Sequence, residues 1–219
     1  MSREQEVGKL TLAALQLSSS NDPLVKSLCK KLLVHDYNSF VDYVEDELAG
    51  CIQQLESNPE HHWNKEEDEV TISLRDMLVV KGVDAEHDVQ HGGHVDLFIK
   101  QGSWKYLAEA KIYKGIVNSY EGWLQLTTRY ASGNPCNKGC ILLYLQKHPS
   151  TLNVMKDWKV HIEDKVDDIS VNFCSVNPVA LVSTHTLLRT GLPYHIRHLP
   201  VSLYFKPLDQ SGRNSKKYN

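Results

Sequence analysis

The run Gly139-Cys140-Ile141-Leu142-Leu143-Tyr144-Leu145 constrains this chain more than any other stretch. It is almost wholly apolar, so neither face of a strand here can meet water, and such a strand belongs inside a sheet covered on both sides. Upstream, Val70, Leu74, Met77 and Leu78 recur at helical spacing, which predicts a helix from Asn64 to Lys81 with Gly82 as its stop. Short extended runs follow at 84–90, 94–100 and 104–113, then a helix over 118–131 carrying Trp123, Leu124, Leu126 and Tyr130. Helix, three strands, helix, strand is an α/β arrangement around a mixed sheet. Further strands are expected at 169–176 and 199–206.

Residues 3–59 read as helices. A first apolar cluster spans Leu10 to Leu17, and Ser18-Ser19-Ser20-Asn21-Asp22-Pro23 supplies a linker and cap. Leu24 to Leu33 continue at helical spacing, and Phe40, Val41, Val44, Leu48, Ile52 and Leu55 form an amphipathic segment that ends near Ser57-Asn58-Pro59. The expected division is a helical extension over 1–60, a core over 61–207 and a loose polar tail over 208–219. The extension carries no chemistry and is expected to mediate homodimerisation. No apolar run approaches the roughly 18 residues that cross a bilayer, and the charged start Met1-Ser2-Arg3-Glu4 lacks a signal core. Five cysteines at scattered positions do not form a disulfide framework. The expectation is a cytoplasmic protein with no membrane partner.

A net charge of −3 weighs against a nucleic-acid partner, but its distribution does not. Residues 36–99 hold 16 acidic and 3 basic side chains, whereas residues 100–160 hold 9 basic and 3 acidic ones. An acidic half beside a basic half suits a site where carboxylates hold a cation and lysines meet phosphate.

Gln101-Gly102-Ser103 is a short hairpin link between the runs 94–100 and 104–113. With Gly102-Ser103 as the turn, paired residue numbers sum to 205, which sets Asp96 opposite Glu109 at a Cβ separation of roughly 5 Å. Alternation puts Glu109 and Lys111 on one face and Ala110 on the other. A slip of one residue would separate them. Both carboxylates interrupt apolar runs, where they need a partner or a metal. Hard oxygen ligands select Mg²⁺ or Mn²⁺, and the Lys111 ammonium can position a water for attack on phosphorus. From the preceding helix Glu67 is the first choice for a further ligand and Glu66 the second. Gly92-Gly93 lets the backbone come close to something just before Asp96.

The segments Gly92-Gly93-His94-Val95-Asp96-Leu97-Phe98-Ile99 and Leu107-Ala108-Glu109-Ala110-Lys111-Ile112-Tyr113-Lys114-Gly115 together resemble the PD-(D/E)XK phosphodiesterase superfamily. Gln125-Leu126 with Tyr130 is similar to the glutamine-and-tyrosine helix of several of its branches, although Tyr130 follows Gln125 by five residues where four is commonest. The likeness covers about residues 64–145. It implies a restriction-endonuclease-like αβββαβ core and metal-dependent hydrolysis of phosphodiester bonds, in DNA by analogy with most such proteins. It also implies metal ligands in Asp96, Glu109, the Ala110 carbonyl and Glu67, water activation by Lys111, a site-orienting Gln125 and a substrate contact for Tyr130. Restriction, repair and anti-phage defence are the settings it suggests. Two other readings are a non-catalytic nucleic-acid-binding or scaffold protein on the same fold, and an effector-activated or RNA-directed nuclease.

Lys114, just past the strand, is equally a candidate phosphate contact and a solvated strand-end lysine. His61, His62, His87, His91 and His94 crowd one region, but none forms His-Glu-x-x-His, and Cys136 and Cys140 lack a second ligand pair, so zinc is not expected. Trp104 and Trp123 suit core positions better than base stacking.

Overall fold

The computed structural model describes residues 22–131 and 136–209, so the expectations for residues 10–20 and most of the tail lie outside the described residues. Two helices come first, α1 (Pro23–Leu32) and α2 (Tyr37–Glu56). The Asp22 carboxylate caps α1 by accepting from Leu24 N–H at 2.8 Å, and Asp36 caps α2 by accepting from Ser39 N–H at 2.7 Å. After a 3-10 turn at Pro59–His61 comes α3 (Glu67–Val80), whose first turn carries Glu67, Asp68 and Glu69, the sign that a helix N-terminus favours. Strands β1 (Asp84–Gln90), β2 (His94–Gln101) and β3 (Trp104–Ile112) are joined as antiparallel neighbours. Helix α4 (Ile116–Leu124) passes directly into a π-helical turn over Gln125–Tyr130. The chain finishes with β4 (Lys138–Leu145), α5 (Thr151–Lys165), β5 (Ser170–Phe173), β6 (Leu181–Thr186) and β7 (Pro193–Ser202).

The fold is mixed α/β, with one seven-stranded sheet in the order β1-β2-β3-β4-β7-β6-β5. β4 lies between β3 and β7, parallel to both, and the outer pairs are antiparallel. Its side chains alternate between two cores. Cys140, Leu142 and Tyr144 pack with α2 and α3, while Ile141, Leu143 and Leu145 pack with α4 and α5. This is the double burial expected of that run. Helix α2 shares the first of these cores through Phe40, Val44, Leu48, Ile52 and Leu55, so it is one of the layers that close the sheet. Helix α1 keeps Leu24, Leu28, Leu32 and Leu33 exposed.

Helix α5 and strand β6 lie outside the elements expected above, and β7 begins six residues before the expected 199. Pro193 and Pro200 disguise β7 as something other than an inner strand. The β6 ladder stops at His198, which leaves the β6 side of Pro200 without a strand to bond. Among the described residues no helix is long and apolar enough to cross a membrane.

Candidate active site

The expected hairpin register is the observed one. Leu97↔Ala108 through Gln101↔Trp104 are partners, each pair summing to 205. The ladder stops there, one pair short of Asp96 and Glu109. β3 remains bonded to β4 as far as Ile112, but its other edge is open from Glu109 onward. On that open edge side chains replace the missing strand. The Asp96 carboxylate accepts Ala110 N–H at 2.8 Å, and the Glu67 carboxylate accepts Ile112 N–H at 2.7 Å. On its β1 side Asp96 is also skipped by the ladder, which passes from His87↔Leu97 to Val89↔Val95. The residue opposite, Asp88, has φ 55°, a left-handed conformation uncommon outside glycine. Among the described residues Asp96 therefore sits at a fork with no ladder partner on either side, and its side chain serves β3.

Three carboxylates and one carbonyl meet at the fork around the Lys111 ammonium. Lys111 Nζ lies 2.6 Å from Glu109 Oε1, 2.9 Å from the Ala110 carbonyl, 3.4 Å from Glu67 Oε1 and 3.6 Å from Asp96 Oδ2. Glu109 is 1% exposed and Glu67 32% exposed, so the site opens toward the start of α3. Helix α4 closes the opposite side. A Cβ on Gly122 would lie 2.8 Å from Lys111 Cγ and 3.4 Å from Glu109 Cγ, so only glycine lets the helix rest on these two side chains.

The electrostatics show a shortage of positive charge. Burial first and the Asp96 carboxylate second push Glu109 up to about 8. Burial also raises Asp96, against the pull of Lys111 and the Ala110 N–H. Burial alone would lower Lys111, but Glu109, Asp96 and Glu67 outweigh it and hold the ammonium charged. Among the described residues the buried Glu109 Oε2 has no hydrogen-bond partner. A divalent cation fits this donor set by chemistry, since all its donors are hard oxygens and one of them lacks a partner. Among the described residues no three His, Cys, Asp or Glu side chains stand ready as a metal-ligand group. In this cluster the centre among the carboxylates is held by the Lys111 ammonium.

Glu67, Asp96, Glu109, Lys111 and the Ala110 carbonyl are thus brought together. Glu66 is not; it precedes α3, and its backbone N–H donates to Glu69. Tyr130, the expected substrate contact, is engaged within the fold. The ring is buried, and the hydroxyl donates to the His94 carbonyl at 2.7 Å, which ties the start of β2 to the helix. The spacing of five from Gln125 has a structural cause. The helix takes a π turn over these residues, with Ala131 N–H bonding to the Leu126 carbonyl five positions back, and this wider turn returns Tyr130 toward β2. Gln125 opens that turn and makes no side-chain hydrogen bond among the described residues. What Gly92 and Gly93 come close to is this turn. Cβ atoms there would lie 2.4 Å from the Arg129 carbonyl oxygen and 2.9 Å from the Tyr130 ring.

Lys114 is exposed beyond the end of β3. The crowded histidines disperse: His94 bonds Asp88 at 2.7 Å, His87 lies 3.5 Å from Asp68, and His91 packs on Phe98. Trp123 is in the core and Trp104 at its edge. Gly122 and Gln146 are the positions that sequence reasoning missed. Gln146, buried after β4, donates to the His62 and Lys65 carbonyls and so holds the approach to α3. A glycine in a helix and a glutamine after a strand give no chemical signal by themselves. Compared with models of protein families, with curated proteins and with solved structures, the chain matches none of them.

Proposed function

We propose that this chain is a metal-dependent nuclease of the PD-(D/E)XK type, with a restriction-endonuclease-like core, that hydrolyses phosphodiester bonds in DNA. The observation that supports it most is the convergence of Glu67, Asp96, Glu109 and the Ala110 carbonyl on Lys111 at a forked strand pair. Asp96, Glu109, Glu67 and the Ala110 carbonyl would hold Mg²⁺ or Mn²⁺. When bound, that ion supplies Lewis-acid stabilisation of charge on the phosphate oxygens and a lowered pKa for an attacking water. The chain's own residues do the rest. Glu109, buried on one side, orients its carboxylate through Lys111. Asp96 is oriented by the Ala110 N–H and Glu67 by the Ile112 N–H, so each acid has a backbone donor or an ammonium that sets its rotamer. Lys111 keeps its ammonium near the reacting water and opposes the negative charge that grows on phosphorus oxygens. A homodimer through the N-terminal helices accompanies this reading, supported by the exposed leucines of α1.

The test is cleavage of circular double-stranded DNA and single-stranded DNA, with RNA as control, in Mn²⁺, Mg²⁺ or EDTA. The parent is compared with Asp96→Ala and Lys111→Ala. Metal-dependent cutting lost in both variants is the expected result. Absence of both cutting and metal binding in the parent would leave a non-catalytic protein and end the proposal.

A further inference from the structure

Unpaired lysines gather at one place beside the carboxylates. Among the described residues most lysine side chains have an acid, an oxygen acceptor or a ring as partner. Among the described residues Lys26, Lys65, Lys114, Lys147, Lys156 and Lys206 make no side-chain hydrogen bond, ion pair or ring contact. Lys65, Lys114 and Lys147 line a single cavity of about 530 Å³ with Trp63 and His148, and Glu66 is the one acidic residue in its wall. Ammonium groups sharing a concavity repel one another, and an anion seated among them relieves that repulsion. In a chain of net charge −3 this is a local excess of positive charge.

The cavity is a built one. Gln146 Nε2 donates to the His62 carbonyl at 2.9 Å and the Lys65 carbonyl at 2.7 Å, which holds the segment bearing Trp63 and Lys65 against the end of β4. The His148 ring packs edge-on against Tyr113 at 4.7 Å. Ile112, whose N–H is taken by Glu67, belongs to the same wall. From Ala110 in the acidic site to Lys114 the backbone spans at most about 14 Å.

We propose that this cavity receives a phosphate group of the same nucleic-acid strand that lies across Asp96, Glu109 and Lys111, with the attached base against Trp63. The proposal rests on the nuclease reading and gives its substrate a direction, out past the end of β3. Lys65, Lys114 and Lys147 neutralise the phosphate, and Trp63 supplies a flat apolar wall for any base.

The experiment measures binding of a fluorescein-labelled single-stranded oligonucleotide across a salt series in EDTA, with metal-dependent cleavage assayed in parallel. The full-length parent is compared with K114A/K147A, with W63L, and with K26A/K156A, which removes the same charge from exposed unpaired lysines elsewhere. K114A/K147A should bind at least tenfold more weakly, with the slope of log affinity against log salt smaller by about 1.4, roughly 0.7 per lost contact. W63L should bind about tenfold more weakly with the slope unchanged. K26A/K156A should match the parent. If K114A/K147A keeps the parent's affinity and slope while the parent cuts, the cavity proposal is overturned and the nuclease reading stands. A control variant as weak as K114A/K147A would overturn it too, because net charge alone would explain the loss. If the parent neither binds nor cuts, both readings fall together.

Discussion

Replacing Glu109 by glutamine should make the metal-free protein more stable, the reverse of what removing a buried salt-bridge partner usually does. Glu109 sits at about 8 in the fold against 4.5 for a free glutamate. Below about pH 4.5 both folded and unfolded chains carry the proton and there is no penalty. Between about 4.5 and about 8 the folded chain binds more protons than the unfolded one, so stability falls as pH rises. At pH 7 the interval already crossed is about 2.5 pH units, or about 3 kcal/mol at 1.36 kcal/mol per unit. Glutamine has the same shape and still offers an oxygen to Lys111, which sits 2.6 Å away. It forfeits the charge-assisted part of that bond, so the expected gain is about 1–3 kcal/mol, or roughly 2–12 °C in Tm. Denaturant unfolding of parent and E109Q in EDTA, near pH 5 and near pH 9, measures it. The two should be close near pH 5 and diverge in favour of the variant near pH 9. A variant equal to or less stable than the parent near pH 9 would refute the reasoning, since Lys111 would then be balancing the carboxylates fully.

Other outcomes follow from the same geometry. Gly122→Ala should lower cleavage at least tenfold while costing stability no more than about 1–2 kcal/mol, because its Cβ reaches the movable Lys111 stem 2.8 Å away; assays of cleavage and thermal unfolding separate the two effects. Tyr130→Phe removes the 2.7 Å bond to the His94 carbonyl and should cost about 1–2 kcal/mol in denaturant unfolding, with faster hydrogen exchange at the start of β2. His198, buried between Trp158 and Ser183, is held down to about 3 and His185 to about 4, both by burial. Their unfolded forms take up protons first, so stability falls as pH drops from about 6.5 toward about 4 for His185 and about 3 for His198; an acid limb made shallower in His198→Gln is the expected signature, and an unchanged limb would refute it. Leu28→Glu, on the exposed face of α1, should convert a dimer to monomer in sedimentation without loss of helix content, and an unchanged molecular mass would remove the dimer from the proposal.

The parts of the site legible in the sequence are those governed by local rules. Gly102-Ser103 sets a hairpin register, and alternation along β3 then decides which side chains share a face. The apolar run of β4 likewise carries its own instruction. What alternation does not reveal is that the β2–β3 ladder ends at Leu97, because strand separation depends on how β1, α3 and α4 pack around it. Gly122 is silent for the same reason: its role is defined by Lys111 across space. The π turn is half legible, since the five-residue interval between Gln125 and Tyr130 departs from the commonest spacing but only coordinates show a wider helical turn absorbing it. β6 is illegible in the sequence because its inward positions include Ser183 and His185, polar groups that hide a buried alternation. Helix α5 is marked in the sequence by Val154, Met155, Trp158 and Ile162, which fall on one face.

The position of Lys111 also bears on the order of events when the chain folds. Many metal sites gather acids that cannot approach one another until an ion arrives, so folding waits for the ion. Here the ammonium is covalently attached to the strand that carries Glu109, and it reaches Glu67, Asp96 and the Ala110 carbonyl on its own. The sheet can therefore close around its acidic cluster straight from synthesis, with a resident counter-ion that is never diluted away. Any visiting ion must then compete with a tethered one, which favours occupancy that rises and falls with the surrounding ion concentration over permanent capture.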